Sequence, residues 1–224
     1  NHLIVARLFD HRLLVDLARF ADIPVINALT DLSHPCQVLA DLYTMRQHKK
    51  LHKGVKVAFI GDGNNVVNSW LELSALYPLH FALGAPKGYE PNAEILAAAK
   101  RVGLSTIEIL HDAAAAAKDA DVLYTDVWTS MGQEAEADAR RKAFAGFQVD
   151  EALLAKAKPD CVVMHCLPAH RGEEITAAVL DGKQSVVFDQ AENRLHVQKA
   201  IMATLVEAHA AKNKPEKTPI LPRA

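Results

Sequence analysis

The chain has 224 residues, which is enough for one large domain or two small ones with a sizeable core. Its 25 Lys and Arg residues against 27 Asp and Glu residues give a net charge of -2, so no basic field indicates a nucleic-acid partner. No apolar run is long enough to cross a bilayer, which argues against a membrane partner.

The N-terminal segment, residues 1–50, has the pattern of the end of a domain. A helix over 11–21 (HRLLVDLARFA) leads to a strand over 24–29 (PVINAL), and Val38, Leu42 and Met45 then recur at helical spacing. Two strand–helix steps do not build a sheet by themselves. We interpret residues 1–50 as the C-terminal remnant of a preceding α/β domain, and the start at Asn1 suggests a piece of a longer chain.

Residues 51–190 alternate apolar strand-like runs with helical segments. The runs are continuously apolar, which indicates burial on both faces and hence a parallel sheet between helix layers. This segment is predicted to be one doubly wound α/β domain. Its strands are expected at 55–61, 79–84, 105–110, 121–126, 161–166 and 185–189, with a helix that begins near Pro91 and stops at Gly103.

The last part of the chain predicts a helix and a tail. Residues 191–211 have the pattern of a long closing helix, which we expect to pack back on the first domain. Residues 212–224 contain three prolines and are predicted to form a loose tail.

Polar side chains follow three of the predicted strands at the point where each strand ends. Asn65 follows the first strand, Asp126 ends another with Ser130 shortly after it, and Cys166 ends a third. The carboxyl ends of parallel strands share one edge of the sheet, where ligands bind. We therefore expect these four residues to face one cleft; the alternative for each is an ordinary turn or cap residue.

The segment GDGNNV (61–66) resembles a dinucleotide-binding fingerprint but fails it twice. The third glycine of that pattern is replaced by Val66, and the next predicted strand does not end in an acidic residue. The sequence therefore argues against NAD. Asn64 and Asn65 instead suit a helix N-cap and a side-chain amide that faces a polar ligand.

The segment SHPCQ predicts a helix start that suits an anion. Pro35 fits the first helical position, so His34 becomes the N-cap and Gln37 lies one turn further on. The N–H groups and dipole of a helix N-terminus favour an anion or a polarised oxygen. The alternative is a histidine that only caps its own helix. Arg7 and Arg194, taken singly, are equally consistent with surface arginines.

Cys166 has three interpretations. It is a buried structural thiol, a nucleophile with a base partner, or a polar group in a ligand pocket. The neighbouring His165 should point to the opposite face of its strand. A nearby Asp126 would disfavour the thiolate unless a cation arrives, which indicates a pocket for an amine.

The chain contains three cysteines, Cys36, Cys161 and Cys166. Their odd number and the absence of zinc-type spacing are typical of a reducing compartment. The first residues also lack the layout of a signal peptide. We therefore expect a cytoplasmic protein.

Five motifs, in this order, resemble those of the ornithine carbamoyltransferases: HPCQ (34–37), GDGNNV (61–66), DVWTSMGQE (126–134), HCLP (165–168) and AENR (191–194). The likeness runs to the last helix. It implies transfer of the carbamoyl group of carbamoyl phosphate to the side-chain amine of L-ornithine, which gives L-citrulline and phosphate. It also implies that no metal or organic cofactor takes part, and that the protein assembles as a homotrimer or a multiple of trimers.

The resemblance also assigns residues. Catalytic roles fall to Cys166, His34 and Arg7. It implies a cis peptide bond between Leu167 and Pro168. Carbamoyl phosphate is expected at Arg7, His34, Gln37, Cys166, Leu167 and Arg194, and ornithine at Asn65, Asp126, Ser130 and Met131.

One family motif is missing. The phosphate-binding Ser-x-Arg-Thr motif of the family's first domain does not occur in these 224 residues. We therefore expect the chain alone to be incomplete for activity. Two alternatives remain open: carbamoyl transfer to another amine such as putrescine, and a truncated, non-catalytic ligand-binding or assembly module.

Overall fold

The computed structural model describes residues 1–130, 132 and 134–212. The predicted tail beyond residue 212 and Met131 of the candidate site lie outside these residues. In the N-terminal segment, strand β1 (Ile4–Arg7) pairs in parallel with β2 (Val25–Leu29), and helix α1 (His11–Phe20) connects them. Helix α2 (Pro35–Gln47) follows β2 and begins at Pro35, as predicted.

Five parallel strands form the main sheet: β3 (Lys56–Ile60), β4 (His80–Gly84), β5 (Thr106–Leu110), β6 (Val122–Thr125) and β7 (Val162–His165). Their order in the sheet is β5-β4-β3-β6-β7. The chain builds outward from β3 to β5 and then crosses back, so the order reverses between β3 and β6. Crevices form at such a reversal, because neighbouring connections leave on opposite faces of the sheet.

Helices cover both faces of this sheet, which confirms the doubly wound prediction. Successive side chains of a strand point to opposite faces. Val57 and Phe59 of β3 accordingly enter one core, while Ala58 and Ile60 enter the other. The helices are α3 (Asn65–Ser74), α4 (Ala93–Val102), α5 (Ala113–Ala117), α6 (Ala137–Ala143) after a 3-10 turn (Glu134–Glu136), α7 (Glu151–Leu154), α8 (Ala177–Leu180) and α9 (Val187–Lys212).

The strand predicted at 185–189 is wrong. Ser185 forms a single parallel bridge with Val163, and α9 then begins at Val187. The next donor on β7, the backbone N–H of His165, is bound by the side-chain oxygen of Gln190 at 2.9 Å. A side chain of the helix therefore binds the backbone donor that a sixth strand would have bound. The closing helix starts four residues earlier than expected.

Helix α9 lies along α2 and joins the N-terminal segment to the sheet. The Asn193 amide donates to Thr44 Oγ1 at 2.9 Å and to Gln47 Oε1 at 2.6 Å. Val38 and Met45, two of the residues at predicted helical spacing, are buried in the core on this side. No helix in the described part of the chain is long and apolar enough to span a membrane.

Candidate functional site

A cavity of about 1260 Å³ opens at the carboxyl ends of β3, β6 and β7. It lies at the reversal of strand order, and the N-terminal segment forms its opposite wall. Every candidate residue that the structure describes lines it: Arg7, His34, Gln37, Asn65, Asp126, Ser130, Cys166, Leu167 and Arg194. The structure thus brings together positions that are nearly the whole chain apart.

Cys166 and Asp126 are in direct contact in this cavity. The Cys166 thiol donates to Asp126 Oδ1 at 2.9 Å, and Asn64 Nδ2 donates to Asp126 Oδ2 at 2.7 Å. Burial, and then the negative charge of Asp126, raise the pKa of the Cys166 thiol well above its ordinary value. The site therefore holds a neutral thiol beside a carboxylate, which suits a cationic or amine ligand.

His165 provides no base for Cys166. Its Nδ1 accepts from the backbone N–H of Leu167 at 2.8 Å, so Nε2 carries the proton and faces Glu174 Oε1 at 3.1 Å. Both ring nitrogens are thus engaged elsewhere. A Cys–His nucleophile pair, one of the three interpretations of Cys166, does not fit this geometry. The Leu167–Pro168 peptide bond that follows is cis, as expected.

His34 lies at the start of α2 without capping it through its side chain in the described structure. Its backbone N–H donates to Ser69 Oγ at 2.7 Å, and its Nδ1 is buried without a hydrogen-bond partner among the described residues. Burial lowers the pKa of His34 to about 3, helped by the charges of Arg194 and Arg7. The side chain of His34 therefore does not cap its own helix. A neutral imidazole faces the cavity instead.

Gln37 of α2 and Arg194 of α9 are in direct contact. Arg194 Nη1 donates to Gln37 Oε1, and Gln37 Nε2 donates to Asp41 Oδ1 at 2.9 Å. Arg7, at the end of β1, contributes a second guanidinium to the same end of the cavity. Two arginines and the helix N-terminus make this end suited to an anion.

Asn64 and Asn65 divide the two tasks expected of them. Asn64 caps α3, because its Oδ1 accepts from Val66 N at 3.0 Å and Val67 N at 3.2 Å. Asn65 lines the cavity and donates through Nδ2 to the Thr30 carbonyl at 2.6 Å. It therefore joins the wall of the sheet to the wall that the N-terminal segment forms.

Gly63 has a packing role. A Cβ at this position would lie 2.4 Å from Pro91 N and 2.5 Å from the Glu90 carbonyl carbon. The glycine is thus explained by close approach of two backbone segments. No phosphate is needed to account for it, in agreement with the failed dinucleotide pattern.

A buried ion pair in the cavity wall was not anticipated. Arg140 Nη2 lies 2.7 Å from Asp62 Oδ2, and its guanidinium packs 5.0 Å from the centre of the Tyr89 ring. Burial raises the pKa of Asp62 to about 6, with Asp126 adding to the effect and Arg140 opposing it. Asp62 follows a strand, so the same strand-end argument identifies it. The sequence around Arg140 does not indicate that this residue is buried, because the helix that carries it is polar.

Two groups of side chains in the described residues have the donor types and spacing of a metal site. The donors of Asp126, His165 and Cys166 lie within 4.8 Å of one another, as do those of His170, Glu173 and Glu174. In the first group the His165 nitrogens have other partners and the thiol is protonated. Hydrogen bonding therefore explains the arrangement of this first group.

Comparison with known proteins identifies both parts of the chain. The family model described as the Asp/Orn binding domain of aspartate/ornithine carbamoyltransferase matches residues 53–205. The model described as the carbamoyl-P binding domain of the same family matches residues 1–47. The first match alone covers more than half of the chain.

Relatives and solved structures agree with these matches. The chain is 59% identical over 206 residues to ornithine carbamoyltransferase of Chlorobaculum tepidum, and the matched region covers 92% of the chain and 61% of that protein. For the Acidothermus cellulolyticus enzyme the identity is 54%, with 95% and 69% covered. The structure of Pyrococcus furiosus ornithine carbamoyltransferase matches with a TM-score of 0.86 at 52% identity, over 92% of this chain and 66% of that one. The chain thus spans about two thirds of the length of these proteins, and it belongs to the aspartate/ornithine carbamoyltransferase family.

Proposed function

We propose that the chain forms the ornithine-binding part, and a share of the carbamoyl-phosphate site, of an ornithine carbamoyltransferase. The observation on which this rests is that one cavity combines the Cys166–Asp126 pair with an anion-binding end at Arg7, His34, Gln37 and Arg194. One end suits an amine and the other a phosphate, as the joining of these two substrates requires. Similarity to two ornithine carbamoyltransferases supports ornithine as the amine.

Ornithine binds at the wall formed by the ends of β6 and β7. Its side-chain amine, like that of lysine, has a free pKa of about 10.4 and arrives as a cation. Asp126, beside the neutral Cys166 thiol, attracts that cation. Asn65, Ser130 and Met131 hold the amino-acid end of the substrate, and Leu167 contributes to the contact between the two substrates.

Transfer then requires loss of one proton and attack on the carbamoyl carbon. The Asp126–Cys166 pair accepts the amine proton, and the freed nitrogen lone pair forms the new C–N bond. His34 and Arg7 polarise the carbamoyl oxygen, in the manner of an oxyanion hole. The C–O bond to phosphate breaks, and the leaving phosphate keeps that electron pair beside Arg194 and Gln37 and takes the second proton from the attacking nitrogen. Orientation supplies much of the rate, because the nucleophile is the substrate itself.

The test is citrulline formation from carbamoyl phosphate with either ornithine or putrescine as the amine. The chain is assayed alone and after fusion to the part of the Chlorobaculum tepidum relative that it does not cover. We expect citrulline from ornithine with the fused protein. Faster carbamoylation of putrescine supports the alternative amine. Ornithine binding by calorimetry without any turnover in the fused protein supports the non-catalytic module.

Cellular setting and assembly are part of the same proposal. We place the protein in the cytoplasm and in arginine biosynthesis, as a homotrimer or a multiple of trimers. Three free cysteines support a reducing compartment. Light scattering on the purified fused protein tests the assembly: a mass of three chains, or a multiple of three, is expected, and a monomer contradicts it.

A further inference from the structure

Asp41 is a buried carboxyl group behind the cavity wall. It lies one turn after Gln37 on α2, and its surface is fully covered. Oδ1 accepts two hydrogen bonds, from Gln37 Nε2 at 2.9 Å and from Gln190 Nε2 at 2.7 Å. Asp41 therefore contacts a residue of the proposed substrate site without lining that site itself.

The bond to Asp41 fixes which way the Gln37 amide faces. Because Nε2 donates to the carboxyl group, Oε1 is turned toward the cavity, where it accepts from Arg194 Nη1. With the amide reversed, two N–H donors would face a guanidinium that has only donors. Gln198, one turn further along α9, can accept from Nη2 of the same guanidinium at 2.6 Å. Of these two contacts, the one to Gln37 leads back to a buried acceptor.

The other hydrogen bond holds Asp41 to the sheet. Gln190 donates to Asp41 and to Tyr124 Oη at 3.1 Å, and its oxygen accepts from the backbone of His165. Asp41 thus lies where α2, α9, β6 and β7 meet. Burial raises the pKa of Asp41 to about 7, with the bonds from Gln37 and Gln190 opposing the shift. In either protonation state an oxygen remains to accept these two bonds.

We propose that Asp41 is a positioning residue, which orients the Gln37 amide and through it directs the Arg194 guanidinium into the cavity. In this chain of hydrogen bonds Arg194 donates to Gln37, and Gln37 donates to Asp41. Asp41 sets this direction, because an ionised carboxylate can only accept. The proposal rests on the proposed function only in naming the anion that Arg194 meets as carbamoyl phosphate.

Three variants of the chain separate orientation from packing. Asp41→Leu keeps the branched shape of the side chain and removes the acceptor, whereas Asp41→Asn keeps one acceptor oxygen. Thr44→Val is the matched control: Thr44 is equally buried on α2 and bonds Asn193 of α9, but it does not line the cavity. The readout is the side-chain NMR signals of Gln37 Nε2 and Arg194 Nε, which need no activity.

We expect Asp41→Leu to move both signals, and Asp41→Asn and Thr44→Val to leave them near their wild-type positions. If Asp41→Leu does not fold, Asp41→Ser makes the same comparison, because its side chain is too short to reach Gln37. An unmoved Arg194 signal in the folded variant, or equal shifts in all three variants, overturns the proposal.

A kinetic measurement on the fused protein connects this orientation to the substrate. We expect Asp41→Leu to raise the KM for carbamoyl phosphate at least tenfold, with the KM for ornithine changed less than threefold and rescue by Asp41→Asn. Equal changes in both KM values indicate a structural role only and overturn the proposal. If the NMR signals move as expected but wild-type protein does not use carbamoyl phosphate, the proposed function fails and the positioning role stands.

Discussion

The thiol of Cys166 and the carboxylate of Asp126 lie 2.9 Å apart, although 40 residues separate them in the chain. Each follows the end of its strand, and the two strands, β7 and β6, are neighbours in the sheet. Because the thiol is held neutral, the pair has one negative charge that an amine can meet. In the proposed function Cys166 is a polar group beside the nucleophile, which is the amine of the substrate.

Replacing Cys166 by Ala removes the thiol contact to Asp126 from the cavity. We expect a rise in the KM for ornithine and a fall in kcat, each of about tenfold or more, since a hydrogen bond to a charged group is worth about 1.5–3 kcal/mol. Steady-state kinetics of the fused protein measure both. Cys161→Ala is the control, because Cys161 is a buried thiol of the other core. Its variant should lose stability only, and unchanged kinetics in Cys166→Ala would remove Cys166 from the mechanism.

The reactivity of Cys166 should depend on Asp126. The carboxylate contributes to the raised pKa of the thiol, so Asp126→Asn lowers that pKa and increases the thiolate fraction. We expect iodoacetamide to alkylate Cys166 slowly at pH 8 in the wild type and faster in the variant. Peptide mapping by mass spectrometry separates Cys166 from Cys36 and Cys161, whose rates should not change. Equal Cys166 rates in both proteins argue against the electrostatic coupling.

His34 should make the fold sensitive to mild acid. The folded-state pKa is lowered to about 3, against an ordinary 6.5, so below pH 6.5 the unfolded chain binds a proton that the folded chain does not. Protonation of His34 thus leaves the free energy of unfolding unchanged above pH 6.5. From pH 6.5 toward pH 3 it lowers that free energy by up to about 1.4 kcal/mol per pH unit.

Urea unfolding of wild type and His34→Gln at pH 7.5, 6.5 and 5.5 isolates this contribution. Asp62 and Asp41 have raised pKa values and change stability in the opposite direction, but they are present in both proteins. The difference between the two free energies of unfolding should therefore shrink or change sign as the pH falls. A difference that stays constant across the three pH values contradicts a lowered pKa of His34 in the folded protein.

The Asp62–Arg140 pair should be costly to break from one side. Arg140→Met leaves a buried carboxylate without its partner, and we expect a loss of about 3–5 kcal/mol in the free energy of unfolding. Arg141→Met is the matched control, because the ion pairs of Arg141 are exposed and should contribute less than about 1 kcal/mol. The double variant Asp62→Asn/Arg140→Met should recover part of the loss. Equal losses of stability in Arg140→Met and Arg141→Met contradict this account.

The fold could be predicted from the sequence where local pattern and tertiary context agree. Continuously apolar runs placed β3 to β7 within a residue or two at each end, and the strand-end argument brought Asp126 and Cys166 to one edge. Residues 185–189 have the same apolar character, yet helix α9 begins within them at Val187. Ser185 makes a single bridge to β7, and the side chain of Gln190 binds the next backbone donor on that edge.

The residues that sequence reasoning missed are those whose burial depends on distant partners. Asp41 has the appearance of a solvent-exposed helix residue, and its covering residue Gln190 lies 149 positions away. Arg140 likewise has no apolar periodicity around it, and its partner Asp62 is 78 positions away. An isolated charge in a sequence does not reveal whether such a partner exists, so only the assembled fold identifies these groups.

The central claim is that an amine of the substrate binds between Asp126 and Cys166. The most direct measurement is a calorimetric titration of L-ornithine, in the presence of phosphate, into the fused protein and into its Asp126→Asn variant. We predict one ornithine site per chain, with affinity at least tenfold weaker in the variant, because a charged contact of about 1.5–3 kcal/mol is lost. Equal affinity in the two proteins, or no binding by the wild type, would contradict the claim.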